Sequence, residues 1–406
     1  MNLDRAEYFF VMLGVLFVTF NSFRHPGLYF TVSDLFFAIA IALRLTRSFP
    51  LAPLGAGSIF WMLGVVFLIG GLMLGSVVKG DPIRATVVIV QYCFAYVCLP
   101  LVVLARPYEQ AVTLAKLGVW SVVLNCSAGL VAYAIGYNAG YGRHYMLVSG
   151  GGRLAGLVDN PNGLAGLIVF SLPLLWMLGI TRAFRPVIAI VLCVTLLVSL
   201  VLTSSNTGIF GAAVCAVVFL VGLGSIRTIV YAGIGFGAVM FAMLTWGEQF
   251  LPETFQNRVL GAIESGDISE AGTFNDRVDL MVEAWGFLPD NMVIGLGADR
   301  YREISAHHLP VHNLYLLLAN EGGVIALLGL VMIMLGALIA VMLTRGAPHK
   351  SLTLATIISL VFTYTSLAMT YAHMYQRSLV LPILLALGLA IPAVSPRRRQ
   401  PAPTPA

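Results

Sequence analysis

The sequence predicts an all-α, polytopic integral membrane protein of about twelve transmembrane helices, with one large outer loop carrying short helices. Three observations predict it. Hydrophobic residues make up 59% of the chain and charged residues 10%, against about a quarter charged in soluble proteins. Mean hydropathy is +0.92. The apolar residues gather in runs near the roughly 20 residues that cross a hydrocarbon core, not in the alternating strands of about ten residues that build membrane barrels.

The first run, Tyr8 to Phe23, follows MNLDRAE and lacks a small-residue cleavage site, so it reads as a retained span and not a signal peptide. Further spans are expected at about 28–45, 58–78, 86–105, 112–136, 157–180, 186–203, 207–224, 228–247, 323–344, 351–371 and 378–394. Cys93, Cys98, Cys126, Cys193 and Cys215 all fall inside apolar runs. They read as small hydrophobes in helix packing, with neither a disulfide framework nor zinc spacing.

With the N-terminus cytoplasmic, twelve basic residues lie in inner segments: Arg5, Arg44, Arg47, Arg106, Arg182, Arg185, Arg227, Arg345, Lys350 and Arg397 to Arg399. Six lie in short outer loops: Arg24, Lys79, Arg84, Arg143, Arg153 and Arg377. That asymmetry favours this orientation and puts the basic, proline-rich tail 395–406 in the cytoplasm. It also explains the sequence pI of 9.0 by topology, without nucleic acid.

Two outer segments exceed ordinary loops. One is 138–156, rich in Gly and Tyr. The other, 248–311, holds eleven of the eighteen acidic residues together with Arg258, Arg277, Arg300 and Arg302. Loops that long are functional or disordered. Within it, NDRVDLMVEAWGFL places Val278, Met281, Val282 and Trp285 on one helical face, with Asn275 or Asp276 as a cap. This amphipathic helix is expected to lie in the membrane interface with Trp285 at headgroup depth.

Chemistry-bearing residues cluster at the outer edge. In VHNLYLLLANEGG, His312 and Asn313 stand at the threshold of an apolar run. A neutral imidazole there could accept a proton or simply cap the helix. His308 and His312 are four apart, but Pro310 between them opposes a continuous helix presenting both, so no metal site is expected. Arg153 precedes a run that begins Asp159-Asn160-Pro161-Asn162. It reads either as a snorkelling arginine or as part of a broken helix start whose free N–H groups favour anions. Arg277, Arg300 and Arg302 read as solvated loop arginines or anion ligands. Glu321 is expected to reach a polar neighbour, and Asp34 and Lys116 read as structural.

Nucleotide-binding, serine-hydrolase and zinc-protease motifs are missing from the sequence. Phosphate chemistry would therefore fall to arginine, whose fork matches phosphate oxygens, and no cofactor is expected. The halves show no repeat and no matched broken spans of the kind inverted-repeat transporters carry. A lipid or solute transporter stands as the non-enzyme alternative, although its ionisable groups would sit nearer mid-bilayer.

Three stretches carry a resemblance: RLAGLVDNPNGLAG (Arg153 to Gly166), NDRVDLMVEAWGFLPDNMVIGLGADRYR (Asn275 to Arg302) and HNLYLLLANEGGVIALLG (His312 to Gly329). Together they resemble the O-antigen ligase and polymerase superfamily, as does the large loop between late spans. Arg153 with Leu157 is similar to the family's arginine element, Arg277 to its loop arginine, and His312-Asn313 with Gly323 to its histidine element. The family often carries serine–arginine–glycine where this chain has TSSNTG (Thr203 to Gly208), and Ala326 stands at a position usually small or tyrosine.

The resemblance implies a glycosyltransferase of lipopolysaccharide biosynthesis in the bacterial inner membrane. It would transfer O-antigen from undecaprenyl diphosphate to lipid A–core on the periplasmic side, inverting and without metal. Arg153 and Arg277 would hold the diphosphate and His312 would act as base, with Asn313, Arg300, Asn160 and Asn162 in support. An O-antigen polymerase and a protein O-oligosaccharyltransferase are the alternatives within the class. The donor glycan lipid, the lipid A–core acceptor and membrane lipids are the partners implied.

Overall fold

Apolar runs in a membrane must satisfy every backbone group internally, which leaves the helix as the default, and helices dominate this chain. The computed structural model describes residues 3–21, 24–25, 30–47, 52–136, 147–149, 151–158, 160–261, 274–344 and 348–391. Asp159, the tail 395–406 and much of the 138–156 loop lie outside the described residues.

A helix stands at each expected span: α1 (Leu3–Phe17), α2 (Val32–Leu45), α3 (Gly57–Val78), α4 (Pro82–Val103), α5 (Tyr108–Ala134), α6 (Pro161–Ile180), α7 (Pro186–Thr203), α8 (Asn206–Gly222) and α9 (Ile226–Phe250), then α11 (Leu314–Leu343), α12 (Lys350–Leu367) and α13 (Arg377–Ala390). The large loop contributes α10 (Phe274–Asn291). Among the described residues, α3 to α7, α11 and α12 are long and apolar enough to cross a membrane. The first, second and last helices are shorter, at 15, 14 and 14 residues, and 14 residues of helix rise only about 21 Å. A two-stranded hairpin, Arg24–His25 with Phe30–Thr31, links α1 to α2.

Helix α3 packs antiparallel along α11 through glycines. Gly57, Gly64 and Gly71 face Gly336, Gly329 and Gly322 at heptad spacing. A Cβ at Gly64 would sit 2.6 Å from the Gly329 carbonyl oxygen, and one at Gly71 would sit 2.5 Å from that of Gly322. Small residues let backbones approach this closely where no hydrophobic driving force separates lipid from helix.

Helix α11 departs from expectation. It begins at Leu314, not near residue 323, and breaks at Gly323, which adopts φ 67°, ψ −171°. The break frees carbonyls, and the chain after α10 fills it. Leu296 and Gly297 donate to the Asn320 and Glu321 carbonyls, each at 2.8 Å, and Val324 donates to the Met292 carbonyl at 2.8 Å. The backbone groups released by the break are thereby paired.

Helix α10 is docked on this junction. Asn320 Nδ2 donates to the Ala284 carbonyl at 2.9 Å. Glu283 accepts from Ser305 Oγ at 2.7 Å, Ala306 N at 2.7 Å and Tyr301 Oη at 3.1 Å. Its buried face is Leu280 and Ala284, with Met281 and Phe287 packed beside Tyr301. The single apolar face expected from sequence is therefore divided: Val282 and Trp285 are exposed. The helix starts at Phe274, so Asn275 and Asp276 fall within its first turn instead of capping it.

Candidate active site

Three helix starts and one loop converge at the end of the bundle where α10 sits. Asn160 caps α6, accepting from the Asn162 and Gly163 amides at 2.9 and 3.1 Å, with Pro161 at the first helical position. Ser205 caps α8 by accepting from the Gly208 amide. Asn313 caps α11, accepting from the Leu316 amide at 3.1 Å. Each such cap satisfies a backbone donor the helix leaves open.

Between them lies a cavity of about 370 Å³ whose lining includes Asn160, Asn162, Thr207, Arg277, His312 and Tyr371. Arg153 stands behind Asn162. Its Nη2 donates to Asn162 Oδ1 and its Nε to the Thr203 carbonyl, both at 2.8 Å. Tyr371 donates to the Asn162 carbonyl from the opposite wall. Arg258 is placed by Asn206, whose Nδ2 donates to the Arg258 carbonyl at 2.9 Å. The structure thus brings Arg153, Arg277, His312, Asn160 and Asn162 together.

Two other candidates fall elsewhere. Asn313 turns its side chain to the α11 cap and to Met281 Sδ, and is not among the cavity-lining residues. Arg300 pairs with Glu303 at 2.6 Å, in a separate cluster with Arg84, Asp299 and Arg302.

The electrostatics of the cavity favour an anion. Burial, and then Arg258 and Arg277, pull the Arg153 guanidinium down to about 10. Burial and then Arg277 lower Arg258. Among the described residues none of the three arginines has a carboxylate partner, and the Arg258 Nε is buried without a hydrogen-bond partner. Three mutually repelling cations around a polar space are relieved by a multiply charged anion. Burial, then Arg277, lowers the His312 imidazole below 6.5, so it is neutral at pH 7 and has a nitrogen lone pair available.

Sequence reasoning missed Arg258, Thr207, Tyr371 and His373. Arg258 sits in an acidic loop, where an arginine reads as solvated. The signal for Tyr371 and His373 was TYAHMYQR, Thr370 to Arg377, a polar, aromatic run between two apolar ones. The TSSNTG stretch proves structural as well as polar: Thr203 and Asn206 hold two arginines, and Thr207 faces the cavity.

Residues 191–331 match the family model described as O-antigen ligase. Over these residues the chain is similar to the O-antigen ligase family. The matched span runs from α7 through the large loop and well into α11, and so includes Arg258, Arg277 and His312, while Arg153 lies before it. The family is one of glycan-processing membrane enzymes. No curated protein matches the chain by sequence.

Proposed function

We propose that this protein transfers O-antigen polysaccharide from undecaprenyl diphosphate to lipid A–core at the periplasmic face of the bacterial inner membrane. The observation that carries the reading is the meeting of a neutral histidine with Arg277 in one cavity at the end of a membrane bundle, with the Arg153 and Arg258 guanidinia close enough to feel Arg277. It is supported by the O-antigen ligase family match.

An acceptor sugar hydroxyl is a poor nucleophile until its proton leaves. His312 takes that proton as the hydroxyl oxygen bonds to the anomeric carbon of the donor. The bond from that carbon to the diphosphate oxygen breaks, and its electron pair stays on the lipid diphosphate. Arg277, with Arg153 and Arg258, stabilises the charge that develops there, a role metal ions fill in other phosphate chemistry. Asn162 keeps Arg153 at the cavity wall. A single displacement inverts the anomeric centre.

Purified protein incubated with undecaprenyl-diphosphate-linked glycan and lipid A–core should yield glycan-capped lipid A–core. Longer lipid-linked chains would instead identify a polymerase, a glycosylated peptide acceptor would identify a protein O-oligosaccharyltransferase, and no covalent product with any acceptor would point to transport.

A further inference from the structure

His373 lines the arginine cavity and also a second cavity, of about 280 Å³, whose other walls include Arg84, Gln91, Asp299, Arg302 and Tyr375. We propose that this second cavity is the subsite for an uncharged, hydroxyl-bearing saccharide of the acceptor, opening past His373 toward His312. The proposal rests on the reading of the arginine cavity as the donor diphosphate site.

The two cavities differ in how their charges are matched. In the second, Asp299 Oδ2 accepts from Arg84 Nε at 2.9 Å and lies 2.9 Å from Arg302 Nη2. Glu303 also pairs with Arg84. Guanidinia already held by carboxylates are weak attractors for a phosphate. A fixed array of donors and acceptors does suit sugar hydroxyls, which both give and take hydrogen bonds. Gln91, whose Oε1 accepts from Arg377 Nη1, adds a side-chain amide to the wall. Tyr375, packed edge-on against Tyr92 with centroids 5.0 Å apart, adds an aromatic wall. The arginine cavity has the opposite character, cations without carboxylates among the described residues. A transfer reaction needs this division of labour, because its donor is a diphosphate and its nucleophile a sugar hydroxyl.

The test uses the full-length, detergent-solubilised protein and two probes: undecaprenyl diphosphate, and a neutral oligosaccharide prepared from the outer core of rough lipopolysaccharide. Arg302→Ala removes one matched pair at a partly exposed position, and Val88→Trp, at an apolar wall residue of the same cavity, fills it without touching its charges. Arg302→Ala should weaken oligosaccharide binding about tenfold, the size of one lost charge-assisted hydrogen bond, Val88→Trp should weaken it by occupying the space, and both should leave undecaprenyl diphosphate binding unchanged. Arg277→Ala should do the reverse. Oligosaccharide binding that is absent in the parent protein, or unchanged in both cavity variants, overturns the subsite even where glycan transfer is observed. Loss of oligosaccharide binding in those variants, in a protein that transfers nothing, supports the subsite and removes the donor reading. Either variant alone suffices if the other does not fold, with elution profile and thermal unfolding as the check.

Discussion

His312 illustrates how much a single side chain owes to its surroundings. Burial and the nearby Arg277 both favour the neutral imidazole, so protonation sets in only below the ordinary 6.5. The neutral form is the base. Turnover should therefore hold through pH 7 and fall as pH drops through the lowered pKa, an acid limb lying below 6.5. His312→Ala should cut turnover by about 10²–10⁴-fold, the usual worth of a positioned base, while undecaprenyl diphosphate binding stays near parent levels. An acid limb above 6.5, or parental turnover in the alanine variant, would return His312 to a helix-threshold residue. At this scale the sequence singled out polar residues at the threshold of an apolar run, His312, Asn160 and Arg153 among them, and the structure brings these to one end of the bundle. It was uninformative for Arg258, because neighbouring acids made solvation the ordinary reading, and for Tyr371 and His373, because their partners lie far away in the chain.

The elements follow the same logic with packing in place of charge. Apolar windows located the helices but misplaced the start of α11, because Asn320 and Glu321 lower the local hydropathy although both are buried. Glu321 Oε1 accepts from the Tyr301 amide at 3.3 Å and Asn320 Nδ2 donates to the Ala284 carbonyl of α10 at 2.9 Å, contacts that hydropathy cannot register. Likewise, the sequence put Val278, Met281, Val282 and Trp285 on one membrane-facing side of α10, whereas docking against Tyr301 and α11 buries Leu280 and Ala284 and leaves Val282 and Trp285 exposed. Gly323 makes the docking work. Its φ and ψ fall in a region open essentially to glycine, and a Cβ there would lie 2.7 Å from the Val293 carbonyl oxygen. Gly323→Ala should therefore destabilise the protein by at least about 1–3 kcal/mol and loosen α10, carrying Arg277 away from His312. Thermal unfolding of the solubilised variant tests this. An unchanged midpoint with full transfer activity would mean that the break tolerates a side chain and is not what positions the site.

At the scale of the whole molecule, long-range pairs sort the loops into two ends. Lys79 Nζ donates to the Asp290 carbonyl, Arg84 pairs with Asp299, Arg153 bonds Thr203, and Arg377 grips Asp34 through Nε and Nη2 at 2.7 and 2.8 Å. Those contacts gather the start of α2, the turns after α3 and α7, the large loop and the start of α13 at the end that bears the cavity. At the other end Arg106 pairs with Glu7, both buried, and Arg47 pairs with Asp4, joining the start of α1 to the ends of α2 and α4. The relative placement follows from contacts, and its absolute sense comes from the excess of basic residues in the segments assigned to the cytoplasm. Reporters separate the two inferences. A phosphatase that works only outside the cytoplasm should be active when fused after Arg258 and inactive after Arg106, and a fluorescent protein that matures only in the cytoplasm should give the opposite pattern. Equal signals at both positions would break the helix layout, since no orientation puts both loops on one side. Signals that are opposite but reversed would leave the layout intact and turn the molecule over. The cavity would then face the cytoplasm, and a periplasmic transfer of glycan could not occur there.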